Sequence, residues 1–76
     1  MDEEYQTINN ILTKLHSTKL HPQKTLGATT LQKVGYMMFF MKLHLEYGCF
    51  PFEYVQTLDI PAVTGQDIVN RIRGTS

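Results

Sequence analysis

Val34-Gly35-Tyr36-Met37-Met38-Phe39-Phe40-Met41-Lys42-Leu43-His44-Leu45-Glu46-Tyr47-Gly48 is the segment whose reading decides the fold. As a helix it sets Leu31, Val34, Met38, Met41 and Leu45 on one stripe, which Met37, Phe40, Leu43 and Tyr47 widen beyond a two-helix seam. So apolar a helix in so short a chain is expected at the centre of the core, with neighbours on several sides. Gly35, Lys42 and His44 interrupt it, so it falls short of the roughly 18 apolar residues of a membrane span. Three of the four methionines lie here. Thioether side chains fill irregular gaps in ordinary cores, and the same adaptability suits a surface that meets a ligand or partner.

Working outward, Gly48 is placed to stop this helix and Pro51 to reinforce the stop. Thr29 or Thr30 is placed to cap its start, although Lys33 removes the reciprocal acceptor of a capping box. Upstream, Tyr5, Ile8, Ile11 or Leu12, and Leu15 repeat at helical spacing and predict a helix over about residues 3 to 16. Asp2 serves as its cap, with Glu3 and Glu4 at its positive end. Asn9 and Asn10 weaken its intrinsic propensity, so docking must hold it. A long connection from Ser17 to Thr30 follows, with Leu20 and Leu26 as anchors. Downstream, Phe50 and Phe52 are expected to plug the bundle end, and 52–58 to form a short helix with Val55 and Leu58 inward. The last helix has the clearest signals: Thr64 as cap, Asp67 as reciprocal acceptor, and Val63 facing Ile68 as a hydrophobic staple. Ile68, Val69 and Ile72 form its buried stripe, and Arg71, Arg73 and Gly74 suit its end. The expectation is a single all-α domain over 1–76, a small bundle of three main helices and one short additional helix.

Composition narrows the function. Lysine plus arginine and aspartate plus glutamate each total 7 in 76 residues, so the charge excess of a nucleic-acid binder is missing. Cys49 is the sole cysteine, which rules out an internal disulfide and favours a reducing compartment. The opening Met1-Asp2-Glu3-Glu4 has no basic-then-apolar leader, and a cytoplasmic location is the expectation. His16, His21 and His44 do not have metal-motif spacing. Glu46, Glu53, Asp59 and Asp67 are too dispersed for an acid/base pair. The chain is therefore read as no enzyme and as holding no metal. Gly27-Ala28-Thr29-Thr30-Leu31 lies where a loop becomes a helix start, a place that exposes amides to an anion and equally describes an ordinary turn and cap.

Three stretches carry a family likeness: Leu26-Gly27 ahead of a hydroxyl residue and the main helix, Leu43-x-Leu45-Glu46-Tyr47-Gly48 at its end, and Val63-Thr64-x-x-Asp67-Ile68-Val69-x-x-Ile72. Over about Tyr5 to Ile72 this order resembles the acyl carrier protein family. The resemblance implies a four-helix bundle bearing a phosphopantetheine arm on a serine at the start of the second helix, within a Leu-Gly-x-Asp-Ser-Leu pattern. Matched forward, Leu26, Gly27 and Leu31 keep the pattern, Thr29 replaces the aspartate and Thr30 the modified serine. Counted backward from Leu43, Glu46 and Tyr47, Lys33 falls on the serine and Val34 on the following leucine. Neither register supplies a serine, since Ser17 and Ser76 are the only ones. The family's partner-facing helix is acidic, whereas here it carries Lys33, Lys42, His44 and one acid, Glu46, which implies altered partner choice.

The resulting expectation is a non-enzymatic, carrier-like protein without its own phosphopantetheine that acts through contacts with acyl-processing or other biosynthetic enzymes. Thr29, Thr30, Lys33, Gly35 and Tyr36 are the candidate contact residues. One alternative is a working acyl carrier, in fatty acid or polyketide biosynthesis, with phosphopantetheine on Thr30 and an acyl chain shielded by Met37, Phe40 and Met41. Another is a small regulatory or structural helical protein.

Overall fold

A computed structural model describes residues 3–74; the expected capping residue Asp2 lies outside them. The helices are α1 (Glu3–Lys14), α2 (Lys33–Tyr47), α3 (Phe52–Val55) and α4 (Gly65–Arg73), with 3₁₀ turns at Leu26–Ala28 and Ile60–Ala62. The expected all-α bundle of three main helices and one short one is what forms.

Helix α1 buries Tyr5, Ile8, Ile11 and Leu12 and packs against both α2 and α4. It stops two residues earlier than expected because a Schellman motif closes it: the Ser17 amide donates to Leu12 O (2.9 Å) and the His16 amide to Thr13 O (3.0 Å). His16 takes the left-handed position that usually falls to glycine, with φ 59°. The long connection is then fastened at both expected anchors, since Leu20 and Leu26 are buried. Asn9 clamps Leu20 from α1, its amide nitrogen donating to Leu20 O (3.1 Å) and its amide oxygen accepting from Leu20 N (2.7 Å).

Further along, the connection is sewn to the start of α4. Leu26 N donates to Val63 O (2.8 Å), Gly65 N to Lys24 O (3.1 Å) and Gln66 N to Pro22 O (3.0 Å). The two 3₁₀ turns come so close that a Cβ on Gly27 would stand 2.8 Å from Pro61 O. Gly27 thus serves packing between turns. Gly65 is tighter still, because a Cβ there would collide with His21 O and reach Tyr5 Cε1 at 3.2 Å.

Helix α2 corrects the sequence expectation in two ways. Its cap is Gln32, which makes no side-chain cap bond, and neither threonine takes that role. The Thr29 hydroxyl is instead engaged in its own turn, and buried Leu31 delays the helix until Lys33. The second correction concerns the buried face. Val34 is 73% exposed, Met41 61% and Leu45 80%, while Met37 and Met38 are also on the surface. Of the first stripe only Leu31 is buried; of the residues that widen it Phe40 and Leu43 are buried as expected and Tyr47 is half-buried, and Phe39 joins them on the side opposite Val34, Met38 and Met41. The physical reason is size: a domain this small has too few elements to enclose a helix all round. The face carrying two phenylalanines removes the most apolar area from water, and that face turns inward.

Gly48 ends α2 as expected, in the left-handed conformation at φ 72°. Helix α3 is shorter than 52–58. It stops at Val55, the Gln56 and Thr57 amides closing a turn on Phe52 O and Tyr54 O, and Leu58 is half-buried. Phe50 is buried as a plug, but Phe52 is 57% exposed, because the proline between them turns one ring in and the other out. Helix α4 opens with the predicted capping box: Thr64 Oγ1 accepts from Asp67 N, and Thr64 N donates to Asp67 Oδ2, each at 3.1 Å. Val63, Ile68 and Val69 are buried, Ile72 is half-buried, and Gly74 at φ 76° closes the helix.

Candidate functional site

The start of α2 gathers most of the candidate contact residues but gives them different access. Thr29 is buried; its hydroxyl donates to Leu26 O (2.6 Å) and accepts from Leu31 N (3.3 Å), so it shapes the turn and offers no oxygen to a partner. Thr30 is exposed, with a long 3.5 Å contact from its hydroxyl to His16 O. Lys33, the first residue of α2, is exposed, whereas Gly35 and Tyr36 are half-buried and Tyr36 packs against the core. The Tyr36 amide donates to Gln32 O (2.8 Å), closing the first turn. A lysine at a helix N-terminus opposes the helix dipole at a cost of about 0.3–1 kcal/mol. Stability therefore does not account for Lys33.

One and two turns further on, Met37, Phe40 and Met41 meet across an apolar groove. They face Phe50, Phe52 and Val55 from the α3 side around a cavity of about 160 Å³. The groove exists because Gly48 reverses the chain and Pro51 starts α3 alongside α2, its carbonyl accepting from Tyr54 N and Val55 N (both 3.0 Å). His44, on the rim, fixes this corner: its Nδ1 accepts from Phe50 N at 3.2 Å. The cavity is smaller than the ~300–1,000 Å³ of drug-sized ligand sites. It has room for a short apolar chain.

On the other side of Phe50, Arg71 organises a second cavity of about 280 Å³ lined also by Tyr54, Leu58 and Asp67. The guanidinium carbon lies 3.6 Å from the Tyr54 ring centroid, and Arg71 Nε donates to Cys49 O at 2.9 Å. Burial pushes the Cys49 thiol above its ordinary range, with Arg71 opposing. Less thiolate is present at neutral pH, which suits a packed thiol better than a nucleophile. Arg73 pairs with Glu4, Nε to Oε2 at 3.1 Å and Nη2 to Oε1 at 3.3 Å, which holds the Glu4 carboxyl below its usual range. Both arginines thus do more than complement the α4 dipole. Among the described residues no three histidine, cysteine, aspartate or glutamate side chains group to hold a metal ion, and no helix is long and apolar enough to cross a membrane.

Sequence reasoning missed Asn9 and Arg71. Nothing local marks either one: each bonds to a backbone far along the chain, and only the folded path brings those carbonyls near. No family model, curated protein or solved structure matches the chain.

Proposed function

We propose that this chain is a non-enzymatic, carrier-like protein that acts through contacts with an acyl-processing or other biosynthetic enzyme and carries no phosphopantetheine arm of its own. The observation that carries this reading is the start of α2 at Lys33. In the backward register of the acyl-carrier likeness, the residue at the helix start is the arm-bearing serine, and here it is an exposed ammonium. A lysine offers no hydroxyl for a phosphodiester. Its unfavourable place on the helix dipole argues for a task outside the fold, and a charged contact with a partner is such a task.

The second reading, a self-loaded carrier modified on Thr30, draws on two observations: Thr30 is exposed, and Met37, Phe40 and Met41 line one groove. Intact mass after incubation with coenzyme A and a phosphopantetheinyl transferase separates the two. The expected result is an unchanged mass. An adduct present in the native chain and lost in Thr30→Ala would overturn the arm-less reading. For the contact itself, Lys33→Glu is expected to weaken association with an acyl-processing enzyme while leaving thermal unfolding unchanged or slightly higher, since an acid suits a helix start.

A further inference from the structure

The outer face of α2 carries Val34, Met38, Met41 and Leu45 at intervals of four, three and four residues, all exposed. That is the spacing with which one helix presents a seam to another. The intervals read the same in both directions about the peptide between Phe39 and Phe40, so α2 turned end for end offers the same seam. A patch that is its own complement after a half-turn is what a two-fold homodimer needs. No charge interrupts it. We infer that α2 docks antiparallel against α2 of a second copy of this chain, Val34 meeting Leu45 at each end and Met38 meeting Met41 on either side of the axis.

Area supports this choice of occupant. With Met37 and Phe52, which continue the seam into the neighbouring groove, the exposed side chains amount to about 600 Å² of apolar surface per copy, at the top of the range found on monomers. A standard interface takes about 800 Å² per partner, so the pairing falls in the weak, concentration-dependent class. Unbranched methionines at its centre adapt to each other without a fixed fit. On one flank Lys42 lies beside the second copy's Gly35, where no side chain stands in its way, and the two Lys42 ammonium groups lie on the same side of the pair. Their repulsion is offset by Glu46, which stands one turn on from each Lys42 on the same side of α2, so the pairing is expected to depend little on salt. The pairing does not depend on the carrier reading.

Sedimentation velocity of the wild-type chain from about 10 μM to about 1 mM, the range of weak affinities, provides the test. A monomer–dimer transition within this range is expected. Met38→Glu should raise its midpoint at least tenfold, and Leu45→Glu, at the most exposed seam position, should do the same. Both variants should keep the wild-type circular dichroism. The double variant Met38→Glu/Met41→Lys should regain association, because antiparallel pairing sets each Glu against a Lys. A wild-type chain that stays monomeric throughout, or a dimer indifferent to both single substitutions, overturns the proposal. A double variant that stays monomeric overturns the antiparallel register.

Discussion

On the α1–α4 side of the molecule, side chains are held by directed contacts: the Asn9 clamp on Leu20, the capping box of Thr64 and Asp67, the Glu4–Arg73 pair, and a backbone approach at Gly65 that leaves no room for a methyl. Around α2, burial does most of the holding. Phe39, Phe40, Leu43 and Phe50 pack inward, with Phe39 and Phe40 edge-on at 5.3 Å, while the other face of the same helix is left to solvent. The first side is specified by geometry and the second by volume. They should therefore fail differently.

The largest expected effect is on the side held by volume. Phe39→Ala removes a fully buried ring and should destabilise by about 3–5 kcal/mol, measured by urea unfolding, a large share of the roughly 5–15 kcal/mol that holds a domain together. Next comes a matched pair of glycines. Gly65→Ala drives a methyl into the His21 carbonyl and should cost about 1–3 kcal/mol, as overpacking does. Gly35→Ala meets only the flexible end of Leu31, at 2.9 Å, and gains helix propensity of up to about 1 kcal/mol, so its unfolding midpoint should hold or rise. Equal losses at the two glycines would erase the contrast between the sides.

Asn9→Ala should cost about 1–2 kcal/mol in the same assay, because the half-buried amide and carbonyl of Leu20 lose both partners. The smallest effect belongs to the exposed Glu4–Arg73 pair. Glu4 titrates lower in the folded chain than in the unfolded one, so the pair stabilises above the ordinary glutamate range and that contribution disappears as pH falls through the lowered value. A pH series of melting temperatures with Glu4→Gln as reference should show the two curves converging in acid, and molar salt should shrink the gap at neutral pH.

How much of this was legible in the chain follows the same division. The start of α4 could be read residue by residue, because a capping box is complete within four positions. The left-handed Gly48 and the anchors Leu20 and Leu26 were legible for a similar reason, each being a single residue type whose physics leaves little choice. The inward face of α2 was legible only in part: Phe40 and Leu43 were among the expected core residues, but so were Val34, Met38, Met41 and Leu45, which face outward. Apolar residues surround that helix, so periodicity offers several equivalent stripes, and only the number and position of neighbouring elements selects one. At the candidate site, the apolar trio of Met37, Phe40 and Met41 was visible as a helical cluster, while the inward turn of Thr29 depended on the unmarked 3₁₀ turn before it.

Arg71 has a consequence for motion. A helix of four residues such as α3 lacks the length to persist alone, and its Tyr54 ring and the adjoining Cys49 carbonyl are both gripped from α4. Its order is thus on loan from a distant part of the chain. In native-state hydrogen exchange, the amides of Val55 and Gln56 should open together with those of α4 and out of step with α2, although α2 is the nearer neighbour in sequence.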